Sequence, residues 1–171
     1  AKGRSFAGVS RYKESSVIYI DAVYNILEGG AFLTAYPNRL QVTAALIIRG
    51  NTVLITFRPS QARWEFPGGT LEPNESLEDC LVREIREELE LDIIVGRPFL
   101  SVDHDGETAL TLHAFICRIQ AGEPTGIPGK TFIWARKNHL SCYNFLPADK
   151  LIVKAISETD GFFSDAAGEV E

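Results

Sequence analysis

One stretch, Trp64 to Leu91 (WEFPGGTLEPNESLEDCLVREIREELEL), restricts the possible fold of this chain more than any other. It opens as a strand ending in Pro67-Gly68-Gly69, crosses a turn at Glu72-Pro73-Asn74, and enters a helix beginning near Ser76. Ser76 and Asp79 have the spacing of a capping box. Leu81, Ile85 and Leu89, joined by Val82, recur every fourth residue and give the helix an apolar stripe to bury. Beside the stripe stand Glu84, Glu87 and Glu88 at i, i+3 and i+4, preceded by Arg83. At about 100° per residue, these carboxylates share roughly a third of the helix circumference. Like charges at this spacing destabilise a helix, so helix formation does not select them. A solvated, glutamate-rich face is the simplest account of such a run. The alternative is a hard divalent cation, because clustered carboxylate oxygens suit Mg²⁺ or Mn²⁺ shared with substrate phosphates. Gly68 and Gly69 allow the backbone to approach a ligand closely and to offer it a carbonyl or an N–H.

The full spacing decides between these accounts. Gly69, five residues, Glu75, seven residues, then Arg83-Glu84-Ile85-Arg86-Glu87-Glu88 resembles the signature of the Nudix hydrolases, G-x5-E-x7-R-E-U-x-E-E-x-G-U, where U is bulky and apolar. The one departure is Glu90, which stands where the pattern has Gly; Leu91 follows as expected. A Gly at that point serves a left-handed helix C-cap, so the substitution bears on how the helix stops rather than on its carboxylates.

Composition sets the remaining bounds. A chain of 171 residues, 45% hydrophobic, is large enough for one well-buried domain. A formal net charge of −6 argues against a protein that coats a nucleic-acid polymer or a membrane surface. Anionic nucleotides would therefore need metal or local Arg and Lys to offset repulsion. The apolar runs, such as Ala44 to Ile48, are too short to span a bilayer. The first residues, AKGRSFAGVS, lack the apolar core of a secretory signal. Cys80, Cys117 and Cys142 are an odd set without zinc spacing, which reads as free thiols in a reducing cytoplasm.

Along the chain, residues 1–38 read as an N-terminal extension containing a strand within 16–27; it has the character of an added strand, a lid or a dimer arm, so a homodimer stays open. Residues 39–157 read as the domain proper. Leu40 to Arg49 and Thr52 to Arg58 flank Gly50-Asn51 as a hairpin, and Trp64 to Phe66 is the strand entering the box. Strands follow at 92–102, interrupted at Pro98, at 109–119 and at 131–135, and Pro147 to Ser157 is a second helix. Residues 158–171 read as an acidic, loose tail, with Phe162-Phe163 able to pack back. Strands interleaved with two helices give an α/β class with a mixed β-sheet between helices, matching the α/β/α sandwich that the resemblance implies.

The resemblance, which covers about residues 40–157, also implies a chemistry: hydrolysis of a nucleoside diphosphate linked to another group, with Mg²⁺ as cofactor and Mn²⁺ as a substitute. It implies Glu87 and Glu88 as metal ligands, Glu84 as metal ligand or general base, and Arg83 as the partner that holds a helix carboxylate. It implies a backbone carbonyl from Gly69, or Gly68 beside it, as a further ligand, and Glu75 in support. MutT-like members often add an acid about six residues before a Trp matching Trp134; here that position is Pro128, and Glu123 is the nearest acid. The segments RPSQARWEFPGG and YNFLPAD resemble the MutT and CTP-pyrophosphohydrolase branch, making Arg58, Phe66, Gly68 and Asp149 candidate substrate contacts. Asp149 fits either a base edge or a helix-start cap. Arg58 fits either a phosphate contact or a plain surface position, and Phe66 and Phe115 either stacking rings or core. Two rival readings stay open, a nucleotide-sugar or dinucleoside-polyphosphate hydrolase and a non-catalytic nucleotide-binding regulator.

Overall fold

The computed structural model describes residues 39–126 and 131–165. The extension 1–38 with its expected strand, Pro128, and the end of the acidic tail lie outside them. β1 (Leu40–Arg49) and β2 (Thr52–Arg58) form the hairpin expected at Gly50-Asn51, with Ile48 opposite Val53. β1 is the central strand, and its residues alternate between two cores: Ala44 and Leu46 face one, Ala45 and Ile47 the other. A strand buried on both faces loses polar alternation, which explains the unbroken apolar run. β1 pairs in parallel with β5 (Ala109–Ala121), from Leu40 opposite Leu110 to Ile47 opposite Cys117. β4 (Asp92–Asp105) lies antiparallel outside β5, and β2 carries β3 (Arg63–Glu65) and β6 (Thr131–Arg136). The strand order is β3-β2-β1-β5-β4, with β6 on β2.

The helices cover opposite faces. α1 (Leu77–Leu89) buries Leu81, Ile85 and Leu89 against Ala45, Ile47, Leu54 and Phe115. α2 (Pro147–Glu158) buries Ile152, Ala155 and Ile156 against Leu46, Val53 and Ile55. The layering is therefore the α/β/α sandwich around a mixed sheet that the sequence implied. Ser76 caps α1 by accepting the Asp79 N–H at 3.0 Å, and among the described residues no helix is long and apolar enough to cross a membrane.

Two expectations change. β4 runs on to Asp105 and keeps Pro98 inside it, with register shifts on either side of the proline. Among the described residues β5 is the only strand beside β4, so the missing N–H falls on an open edge. The tail also begins packed rather than loose: Phe162, in the short α3 (Phe162–Asp165), is buried and meets Phe99 edge-on at 5.1 Å.

α1 stops at Glu90, which takes the left-handed conformation (φ 54°) and donates its N–H to the Arg86 carbonyl at 3.1 Å. The box position that usually holds Gly is thus used in the usual way by a residue that is strained there. The Glu90 carboxylate accepts a bond from the Thr125 hydroxyl, and the Thr125 N–H donates to the Leu89 carbonyl, so the following loop is stitched over the helix end. Backbone strain at a left-handed non-glycine residue is on the order of 1 kcal/mol, against about 0.5 kcal/mol for an exposed side-chain bond. Glu90→Gly is expected to raise unfolding stability by about 0.5 kcal/mol in urea titration; a loss of stability would show that the Thr125 bond outweighs the strain.

Candidate active site

The edge of β1 that β2 leaves after Ile48 is taken by residues 67–71. The Ala45 N–H donates to the Pro67 carbonyl (2.8 Å), the Thr43 N–H to the Gly69 carbonyl (2.8 Å), and the Leu71 N–H to the Gln41 carbonyl (2.9 Å). This ladder fixes the two glycines against the middle of the sheet. Gly68 is required by space, since a side chain there would run into the Thr43 backbone carbonyl, whereas one on Gly69 would displace the Glu84 carboxylate. Gly69 is thus the cradle in which the first box glutamate rests.

Arg83 holds that glutamate in place. Its Nε and Nη2 donate to the two oxygens of Glu75 at 2.8 and 3.0 Å, and its Nη1 donates to Glu84 Oε1 at 2.8 Å. Nη1 also lies 3.5 Å from Glu87 Oε2, and Nη2 reaches the Thr70 carbonyl at 3.3 Å. One planar guanidinium therefore joins the loop after Gly69, the pre-helical turn and the acidic helix face, a geometry that Lys could not reproduce. The paired bonds from Arg83 hold the Glu75 carboxyl down at about 2, and the same carboxylates push Arg83 upward. The arginine expected to pair with a helix carboxylate does so, but its bidentate partner is Glu75. Cys80, which sequence reasoning set aside, lies buried 3.5 Å from the Thr43 hydroxyl, and burial raises its thiol pKa.

The expected metal donors are only partly assembled. Glu84 is turned onto Arg83, Glu87 is exposed, and Glu88 is half-buried with its Oε2 shielded from solvent. Among the described residues, no three acid, His or Cys side chains already gather round one point. The donor set still fits a hard divalent cation, being all oxygen and on one helix face beside a glycine cradle. Of the two backbone candidates, the Gly69 carbonyl is taken up by β1, accepting from both the Thr43 N–H and, at 3.3 Å, its hydroxyl. Alternation along residues 67–71 turns the carbonyls of Gly68 and Thr70 away from β1, and Thr70 already meets Arg83. The β1 ladder thus takes the Pro67 and Gly69 carbonyls and not that of Gly68. Glu123 is not with the box carboxylates either; it pairs with Arg49 at 2.9 Å, and Arg49 stacks over Trp134.

The candidate substrate contacts form a second group, on the α2 side. Asp149 is buried near the start of α2, and its Oδ1 accepts the Phe66 N–H at 2.8 Å. Burial pushes its carboxyl up to about 7; neighbouring Glu65 adds to this, while the Phe66 N–H and Arg58 oppose it. Glu65 is itself buried and bound by Arg58 Nε at 2.8 Å. Arg58 is thus not a bare surface arginine: it pairs with Glu65 while its own side chain stays 42% exposed. The Phe66 ring is core, stacked on Phe145 at 5.3 Å and 3% exposed, so it does not offer a face to a base. Phe115 is likewise core on the α1 side. Sequence reasoning missed Glu65; the signal was its place across β2 from Thr56, with Arg58 two residues on. The histidines stand apart: His113 bridges Ser101 and Gln41 at 2.8 Å each, and Asp103 and Asp105 are bonded to Thr111 and Arg39.

Two pH dependences follow with opposite signs. Glu75 is depressed from 4.5 to about 2, so its contribution is full above pH 4.5 and is lost as pH falls through about 2. The stability lead of wild type over Glu75→Gln is expected to be about 1–3 kcal/mol at neutral pH and to shrink in acid; a lead that is constant from pH 7 to 2.5 would refute the clamp. Asp149 is raised from 3.8 to about 7, so its favourable term is present below pH 3.8 and lost as pH rises through about 7. Asp149→Asn, which can keep the Phe66 bond, is expected to gain on wild type by on the order of 2 kcal/mol across that window; denaturation at pH 4 and pH 8 measures it, and parallel curves would contradict it.

Comparison with known proteins agrees with this geometry. The NUDIX domain family matches residues 38–159. The CTP pyrophosphohydrolase of Escherichia coli is 33% identical over 123 residues, 68% of this chain and 90% of that protein. A putative 8-oxo-dGTP diphosphatase 2 of Mycobacterium tuberculosis is 33% identical over 126 residues, 69% of this chain and 88% of that protein. Among solved structures, the E. coli ORF135 protein superposes with a TM-score of 0.62 at 28% identity, covering 78% of this chain and 96% of that one. MutT from Aliivibrio salmonicida and Vibrio cholerae gives 0.57 at 27% identity, covering 71% and 98%. With the family spanning both helices and the whole sheet, and the box residues gathered round Gly69 and Arg83, this chain belongs to the Nudix hydrolase family.

Proposed function

We propose that the chain is a Mg²⁺-dependent pyrophosphohydrolase of nucleoside triphosphates, releasing the monophosphate and pyrophosphate, with CTP, dCTP or 8-oxo-dGTP as first substrates. The observation that carries this reading is the Glu84 carboxylate resting in the space of the absent Gly69 side chain, clamped there by Arg83. A binding-only domain has no use for a carboxylate oriented at that expense of charge repulsion. Nudix hydrolases generally use a divalent metal, and Glu84, Glu87, Glu88 and the Gly68 carbonyl are the groups proposed to hold it. When bound, the cation neutralises phosphate charge and lowers the pKa of attacking water.

The chain's own residues do the rest. Water attacks phosphorus, its oxygen forms the new P–O bond, the anhydride P–O bond breaks, and pyrophosphate leaves with the electron pair. Glu84 has one oxygen tied to Arg83, which leaves Oε2 to accept the proton from water. Arg83 and Glu75 are positioning residues that fix the carboxylate's angle. On the α2 side, Asp149 and the Phe66 N–H are proposed to meet the base edge; a carboxyl near neutrality can donate to or accept from an exocyclic group. The names of the two relatives, one a cytidine and one an oxidised-guanine nucleotide hydrolase, support this substrate class.

The test is pyrophosphate release from CTP, dCTP, 8-oxo-dGTP and dGTP, with ADP-ribose and a UDP-sugar as contrasts, in Mg²⁺ or Mn²⁺. Pyrophosphate from one triphosphate, reduced about 10²-fold or more in Glu84→Gln, is the expected result. Sugar-phosphate release alone would shift the substrate class, and no turnover with either metal would overturn the enzyme reading.

A further inference from the structure

A second feature lies away from the box. An open groove of about 1170 Å³ runs between the β1–β2 turn, the 3-10 segment Lys137–Cys142 and the outer flank of α2. Among the described residues its lining contains Arg136, Lys137, Lys150 and Lys154, and no carboxylate. The chain as a whole has 23 acids against 17 Lys and Arg, so a purely cationic lining departs from its composition. Arg136 and Lys150 are exposed and have no ion pair among the described residues. Lys154 has only a long contact, 3.9 Å to Glu158, and Lys137 donates to the Thr159 carbonyl at 2.6 Å. Like charges gathered with only the long Lys154–Glu158 contact to offset them raise the energy of the empty groove, and an anion lowers it. Two half-buried aromatic residues, Tyr143 and Phe163, share the lining. The hairpin end of β1 is about 20 Å along the strand from Thr43, where Gly69 is bound, and the groove is on the α2 side of the sheet, whereas the box helix is on the other.

We propose that this groove is a second, non-catalytic site for a nucleotide, with phosphate on Arg136, Lys150 and Lys154 and the base against Tyr143 or Phe163. Cations supply the affinity for phosphate and aromatic faces supply base stacking that tolerates sequence. Its size matches a small-molecule site rather than a polymer track. The site is independent of the hydrolytic reading, since no box residue lines it.

The experiment is a titration of the full chain with CMP in EDTA, followed by amide NMR shifts and calorimetry. Inorganic pyrophosphate and a ten-nucleotide single strand serve as further probes. CMP is expected to shift the amides of Arg136, Tyr143, Lys150 and Lys154. Lys150→Ala/Lys154→Ala is expected to weaken binding about tenfold or more, more salt is expected to weaken it further, and Glu84→Gln is expected to leave it unchanged. Alanine suits both exposed helix positions, so the double variant keeps its fold and its triphosphate hydrolysis. Shifts confined to Phe66, Gly68 and the box, or equal affinity in the double variant, would overturn the site. Pyrophosphate binding as tightly as CMP would remove the base from the assignment. A single strand binding more than about tenfold tighter than CMP would overturn the small-ligand reading in favour of a strand surface.

Discussion

The Arg83 guanidinium is the contact on which the arrangement of the box depends. Three acidic groups and a carbonyl compete for one planar cation, and they come from three stages of the chain: Thr70 after the glycines, Glu75 in the turn, Glu84 and Glu87 on the helix. Without that cation, Glu84 would face Glu87 and Glu88 with nothing to offset the repulsion or to keep it in the Gly69 cradle. Glu75 has no place on the acidic helix face, yet it takes the bidentate bond. Glu75 stands just before the N-cap Ser76, and Arg83, in the second turn of α1, reaches back along the helix to it.

Charge alone would not hold this helix. Each like-charge pair on it opposes folding by a few tenths of a kcal/mol, whereas burying Leu81, Ile85 and Leu89 contributes about 1.5–3 kcal/mol apiece before cavity and entropy effects. Packing exceeds repulsion several-fold, so the apolar stripe can carry an acidic face that no isolated helix would keep. The sheet supplies the opposing surface from residues that alternate through β1, which is why one strand anchors both helices.

What was legible in the sequence follows the same division. Spacing read the helix, its cap, its buried stripe and its carboxylates, because 3.6-residue periodicity and a fixed motif are local properties. The hairpin at Gly50-Asn51 and the second helix were legible for the same reason. Pairings between distant segments were not. Nothing local indicates that the Gly69 carbonyl would turn into β1, since that depends on which strand edge β2 vacates. Glu123 was proposed from its nearness in sequence to a missing acid, and the fold gave it to Arg49, at the far end of the sheet. Phe162-Phe163 stood out in the acidic tail as able to pack back, but nothing local named the ring that Phe162 meets, Phe99 on β4.

The segment from Glu65 to Gly69 joins the two candidate halves of the site. Glu65 is held by Arg58, the Phe66 N–H by Asp149 on α2, the Pro67 and Gly69 carbonyls by β1, and the Gly69 cradle receives Glu84 from α1. Five consecutive residues thus touch both helices and the central strand. Such a segment has almost no freedom to move one end without the other, because its backbone hydrogen bonds alternate between fixed partners. On the proposed function, a base bound beside Asp149 would therefore set, through covalent geometry rather than through any hinge, the distance at which its phosphates meet Gly68 and the box carboxylates. On that reading, base recognition on the α2 side of the sheet and hydrolysis on the α1 side become a single positioning problem, linked through the short Phe-Pro-Gly-Gly stretch.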